Sequence, residues 1–338
     1  MSVAVTDSTT PVDDDVPRSI DRGLPASDRA FFAGARVVGA LVLVLTGSIG
    51  LFLFLQLVPT VHAYGFSFFT QAAWYPTYRQ VGVLSAVVGT FEVAAVAVVI
   101  SVPLALLTAL YITEYAPRWL RGPLVSLVDL MAAIPSIIYG LWGFFLLMPR
   151  AEELARWLSA YMSWIPIFKY PGTDPHAAVT LTSVFGSSAA IAGVVVSMMV
   201  TPIACALMRG VFDQAPIGER EGALALGATR WGVIRSVVLP FGRSGIIGGT
   251  MLGLGRALGE TIAVSLILSQ SFTITIHILQ RGSNTISYLI ADEYSNATVG
   301  QLRALLAAGF VLFGITLIVN MIAAVFITRS RSGAATEI

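Results

Sequence analysis

EGALALGATRWGVIRSVVLP, Glu221–Pro240, is a short stretch of charges, small residues and turn formers set between two long apolar runs. Pro216 and Gly218 prepare a helix start just before it. Glu219 and Glu221 fall in the first turn, where negative charge complements the helix dipole, and Ala223 to Leu226 are strong helix formers. Gly227 ends that helix. Thr229 is placed to cap a second one running through Trp231, Val233, Ile234 and Val237 before Pro240. The segment 209–243 therefore reads as a helical hairpin at a membrane surface.

Outward from this hairpin the chain is oil-soluble. Of 338 residues, 56% are hydrophobic and only 12% are charged, against about 25% in an ordinary soluble domain. Six runs are long enough to cross a hydrocarbon core of ~30 Å. They are Val37–Val58, Val93–Thr113 extended backward through Leu84, Leu130–Met148, the 189–208 half of a long uncharged stretch, Gly245–Ser269, and Ala304–Thr328. Residues 1–36 read as a polar tail, 37–328 as a six-span all-α membrane domain, and 329–338 as a second tail. Ala151–Ile165, inside the loop 149–176, has apolar residues at helical spacing and reads as an interfacial helix.

Basic residues orient the spans, because short loops rich in Arg and Lys stay on the cytoplasmic side. With the N-terminus inside, 13 of the 20 basic residues are cytoplasmic, 6 are outside and Arg256 lies within a span. Both termini and the 209–243 loop are then expected in the cytoplasm.

Several chemistries are excluded by residue supply. The single lysine, Lys169, lies in IPIFKYPG and not in a G-x-x-x-x-G-K-[ST] turn, so this chain does not hold ATP in that way. The single cysteine, Cys205, forms no disulfide within the chain, and the three histidines are far apart. A net charge of +1 gives no reason to expect nucleic acid. No cofactor or metal is expected.

Arg256 stands about 11 residues into the fifth run, roughly 17 Å deep at 1.5 Å per residue. An arginine there must face protein or water, since a central one costs about 2.5–3.5 kcal/mol on translocon scales. Glu260, one turn on, is expected on the same face and within reach of it. An arginine fork matches tetrahedral oxyanions, and a neighbouring carboxylate would keep the anion from binding too firmly. The other reading is a pair that ties spans or subunits together. Gly249-x3-Gly253 and Gly255-x3-Gly259 are spaced as packing notches. Glu92, Asp129, Pro135 and Pro202 also lie inside spans; an inner-surface arginine is a suitable partner for Asp129, and the prolines are expected to interrupt their helices.

Glu221-Gly222-Ala223, then Gly227, Val237, Leu239 and Pro240, resembles the EAA-x3-G-x9-I-x-LP loop of ABC importer permeases, with Gly for the second Ala and Val for Ile. GTFEVAAVAVVISVPLALLTALYITEYAP (89–117), LVDLMAAIPSIIYGLWG (127–143), GRALGET (255–261) and ITLIVN (315–320) extend the resemblance to permeases of the phosphate-specific ABC importer, PstC-type. The resemblance implies a MetI-like bundle in a bacterial plasma (inner) membrane, catalysing no chemistry itself. It implies a PstA-type permease partner, two ATP-binding subunits and an extracytoplasmic phosphate-binding protein. It also implies that Glu219, Glu221, Gly222, Ala223, Gly227, Leu239 and Pro240 serve ATPase coupling, and that Arg256 and Glu260 serve phosphate passage. Competing readings are a permease for sulfate or molybdate, a passive ion channel, and an intramembrane enzyme. The last is disfavoured because the histidines map to outer loops.

Overall fold

The computed structural model describes residues 26–169 and 182–330. The first 25 residues, residues 170–181 and the tail 331–338 lie outside it, so the expectations placed there are not addressed. The chain forms two compact units, Met1–Ile49 and Gly50–Ile338. Of the first unit the described part is helical and belongs to α1 (Ala26–Tyr64). That helix begins inside the segment expected to be a polar tail, with Asp28 in its first turn, where it suits the helix dipole. Its apolar side chains, among them Val37, Leu41, Leu43 and Leu45, are exposed, as befits a helix sided by lipid.

The second unit holds the rest of the architecture. After α1 come a short turn of helix, α2 (Ser67–Thr70), and a two-residue antiparallel pair, β1 (Trp74–Tyr75) and β2 (Gln80–Val81), in which Trp74 faces Val81. This hairpin is the sole strand pair among the described residues, and it was not anticipated. Next is α3 (Leu84–Leu110), closed by a π-helical turn at Tyr111–Tyr115. Two helices, α4 (Arg118–Ala133) and α5 (Ser136–Trp142), follow; a second π turn at Gly143–Leu147 leads into α6 (Met148–Tyr161).

Pro135 decides the shape of this third region. The residue before a proline is driven out of the helical well, and Ile134 is extended at ψ 128°. The stretch expected as one span, Leu130–Met148, is therefore broken, and the helices on its two sides meet at 91°. The expected interfacial helix is the end of the second arm. Pro202, in contrast, interrupts nothing: it lies inside the unbroken α7 (Ala189–Phe212).

The central helix of the unit is α7, which packs against α3, α4, α11 (Arg243–Gly259) and α12 (Ile262–Ile267). Small residues permit the approach. A Cβ on Gly193 would lie 2.5 Å from Val96 of α3, and one on Gly253 would lie 2.6 Å from Val200. Gly245 meets Val211 and Gly249 meets the Ala204 carbonyl in the same way, so the notch against α7 is Gly245, Gly249 and Gly253. Gly255 and Gly259 have nothing closer than 3.9 Å and are not part of it. Cys205 is fully buried in this packing.

Between α7 and α11 lie α8 (Ile217–Ala225), α9 (Arg230–Val233), a third π turn at Ile234–Val238 and α10 (Leu239–Phe241). Beyond α12 an irregular stretch leads to α13 (Ile286–Glu293), and α14 (Val299–Ser330) closes the chain. Among the described residues four helices are by themselves long and apolar enough to cross a membrane, or up to six spans if each of two bent pairs counts as one. The second bent pair, Arg230–Phe241 with Arg243–Gly259, turns by 67° at Gly242, where any Cβ would strike the Phe212 ring.

Candidate functional site

The hairpin forms as its residues dictate. Pro216 precedes the first turn of α8, and Glu219 lies in that turn. Gly227 then adopts φ +85°, a left-handed conformation open to glycine at little cost. It lets the Gly227 N–H donate to the Leu224 carbonyl (2.9 Å) and the Ala228 N–H donate to the Ala223 carbonyl (3.0 Å), closing the helix end. Thr229 caps α9 by accepting from the Gly232 N–H at 3.2 Å. Pro240 does not end the second helix: the π turn at Ile234–Val238 accommodates it, and helix continues to Phe241.

None of the residues of α8 is buried. Ile217 (72% exposed), Leu224 and Leu226 (92% exposed) present apolar surface to solvent beside the exposed Glu219 and Glu221. Gly222 has open space around it, Ala223 and Leu239 pack partly against the cluster of Val233, Ile234, Val237 and Phe212, and Pro240 is exposed. Two exposed apolar side chains of α8 and one at its C-terminal cap thus stand beside two exposed carboxylates.

Among the described residues three ion pairs join the ends of α3, α4, α7 and α8. Asp129 of α4 has found an arginine, Arg209 at the end of α7, at 3.5 Å. Arg121 pairs with Asp213. Arg220 of α8 lies 3.1 Å from Glu114 on the π turn after α3, and its other terminal nitrogen donates to the Phe212 carbonyl at 2.6 Å. Sequence patterns gave no hint of that last pair, because Glu114 and Arg220 belong to different runs and neither lies at helical spacing from the other.

At the fifth run the structure departs from expectation. Arg256 sits in the last turn of α11, which stops at Gly259. Glu260 is extended at φ −69°, ψ 126°, and α12 starts two residues later. The break removes the one-turn relation, and among the described residues no ion pair joins Arg256 to Glu260. Arg256 is exposed and lines a hollow of about 430 Å³ with Ile203, Met251, Gly255, Thr316 and Asn320. Glu260 is buried, and its Oε1 accepts from the Ala263 N–H at 3.4 Å, capping α12. The two residues flank a discontinuity, which in membrane bundles is stable where backbone is covered by protein or lines a wet cavity.

Glu92 lies on α3 beside the irregular stretch before α13, and its Oε1 is buried without a hydrogen-bond partner. Gly89, one turn earlier, admits the Asn284 carbonyl so closely that a Cβ would lie 2.1 Å from it. The Ile286 N–H donates to Thr90 Oγ1 at 3.0 Å and completes the seam. Among the described residues no group of histidine, cysteine and carboxylate side chains has the arrangement of a metal site.

Comparisons with known proteins give the family and the fold. The family described as "Binding-protein-dependent transport system inner membrane component" matches residues 101–332. A Xylella fastidiosa protein named "Phosphate transport system permease protein PstC" is 40% identical over 78% of this chain and 79% of its own length. "Phosphate transport system permease protein PstC 2" of Mycobacterium tuberculosis is 39% identical over 87% of this chain and 89% of its own. The PstC protein of Mesorhizobium japonicum is 37% identical, covering 93% and 94%. Among solved structures, a chain of a bacterial ABC transporter that imports the acidic polysaccharide alginate superimposes with a TM-score of 0.56 at 17% identity, covering 92% of this chain and 98% of that one. At that identity the likeness concerns the fold.

Proposed function

The chain belongs to the family of binding-protein-dependent transport system inner membrane components, among the PstC phosphate transport permeases, and from that premise we propose that it is the phosphate-conducting permease subunit of an ATP-driven importer. It is a multi-pass membrane subunit that works with partner subunits and is not an enzyme. ATP is bound and hydrolysed by two separate ATP-binding subunits, and a PstA-type permease completes the pathway. An extracytoplasmic phosphate-binding protein delivers the anion. The subunit resides in the bacterial plasma (inner) membrane with both termini cytoplasmic.

The observation that carries the reading is α8, a helix with no buried residue that offers Ile217, Leu224 and Leu226 to a partner. A bundle without a phosphate-cradling lysine turn receives its work through such an element, and Glu221, Gly222, Ala223, Gly227, Leu239 and Pro240 build it. Arg256 supports the choice of cargo: a guanidinium fork, exposed on a hollow beside a helix break, matches a tetrahedral oxyanion in charge and shape. Glu260 holds the far side of the break.

Uptake of labelled phosphate and labelled sulfate by a strain lacking its own permease, with and without this chain and its partner subunits, tests the reading. ATP-dependent phosphate uptake that tenfold excess sulfate leaves intact is expected. Uptake of sulfate alone, or phosphate flux without an ATPase, refutes it.

A further inference from the structure

With no fully buried residue, α8 is lightly packed on the unit it must move, its apolar contact being Ala223 against the cluster of Phe212, Val233, Ile234 and Val237. It is joined at one end through the turn around Ala215 and Pro216 and at the other through Gly227. One charged side chain of α8 reaches the bundle helices. Arg220 places Nη1 3.1 Å from Glu114 Oε1, on the π turn that closes α3, and Nη2 donates to the Phe212 carbonyl, on the last turn of α7, at 2.6 Å. Its guanidinium is a rigid plane, so a hydrogen bond to α7 and a charge contact to the end of α3, the latter without hydrogen-bond geometry, tie α8 to both helices.

The surroundings set this pair apart from its neighbours. The Arg220 and Glu114 side chains are 22% and 12% exposed, whereas Asp213 and Asp129, in the other two ion pairs, are 40% and 54% exposed. Attraction between charges shielded from water survives salt better than attraction at an open surface. The other two pairs join α4 to the end of α7 and leave α8 untouched. The route onward is solid: α3 meets α7 at Val96 and Gly193, and α7 meets α11, the helix carrying Arg256, through Gly245, Gly249 and Gly253.

We propose that Arg220 is a positioning residue that transmits displacement of α8 to α3 through Glu114 and to α7 through the Phe212 carbonyl. This rests on α8 being the ATPase-docking element. Arg220 touches neither nucleotide nor phosphate; it makes the docking helix and two bundle helices move together.

The test uses the assembled transporter in proteoliposomes, with ATP hydrolysis and phosphate uptake measured on the same vesicles. The proteins are wild type, Arg220→Met, Glu114→Gln, the double variant and Arg220→Lys. All are expected to retain the ATPase subunits on co-purification, since Ile217, Leu224 and Leu226 are intact. Each single variant should move about tenfold less phosphate per ATP hydrolysed. The double should be no worse than Arg220→Met alone, because that change already removes the link to Glu114. Lysine, charged but without the fork, should fall between wild type and methionine. A wild-type ratio in Arg220→Met, or a double variant whose loss is the product of the two single losses, overturns the proposal. Failure of the wild-type chain to recruit any ATPase would instead defeat the docking reading on which it rests.

Discussion

Arg256 ends one helix and Glu260 caps the next, so two residues four positions apart in sequence act on separate segments. The guanidinium is exposed on a hollow while the carboxylate is buried and spent on a backbone N–H. Their substitutions are therefore not equivalent. Arg256→Gln removes the only positive charge of the hollow's lining and should lower phosphate uptake by tenfold or more, about 1.4 kcal/mol in transition-state terms. Glu260→Gln keeps an oxygen that accepts from Ala263 and should lose less than a third as much. Initial uptake rates, with membrane insertion verified by surface labelling, decide the matter; equal losses would show that the two act as a pair.

The proposed docking through α8 would combine apolar contact with charge. Leu226→Asp puts a carboxylate where the most exposed leucine of the hairpin stands and should reduce co-purification of ATPase subunits severalfold. Glu221→Lys should leave the protein in the membrane and uncouple hydrolysis from uptake. Retained coupling in Glu221→Lys would count against docking through that residue.

The glycine notch gives a stability prediction with an internal control. Gly253→Ala places a Cβ 2.6 Å from Val200 Cγ1 in a filled interface, which should cost about 1–3 kcal/mol. Gly259→Ala meets open space at the end of the same helix and should be within about 0.5 kcal/mol of wild type. Thermal unfolding of the two variants in detergent separates them, and equal midpoints would deny the notch its role.

Gly227 is held at φ +85°, which costs an L-residue roughly 1–2 kcal/mol. Gly227→Ala should fray the hairpin at this turn, visible as faster amide exchange at Ala228, whose N–H closes the helix. Gly222→Ala, in a helix interior with free space around it, should slow exchange in α8 instead, since alanine favours helix by about 1 kcal/mol. Exchange rates unaffected in both would mean that the hairpin is held from outside.

Local chemistry alone determined much of this protein. Apolar run lengths pick out α1, α3, α7 and α14 as helices long and apolar enough to cross a membrane, and Pro216, Gly227 and Thr229 fix where α8 begins and ends and where α9 begins, because capping and φ preference act over three or four residues. Pro135 belongs to the same class: its ring excludes the preceding residue from a helix whatever surrounds it. The tertiary structure decided the rest. Pro202 and Pro240 carry the same ring, yet the first stays within an unbroken helix and the second is passed by a π turn. No residue in GRALGET forces the chain to leave the helix at Glu260; the break exists with Glu260 buried against α12 and Arg256 facing a hollow lined by α7 and α14. The Arg220 to Glu114 contact likewise exists only once α3 and α7 are packed side by side, since attraction between charges falls with distance in space and is indifferent to distance along the chain.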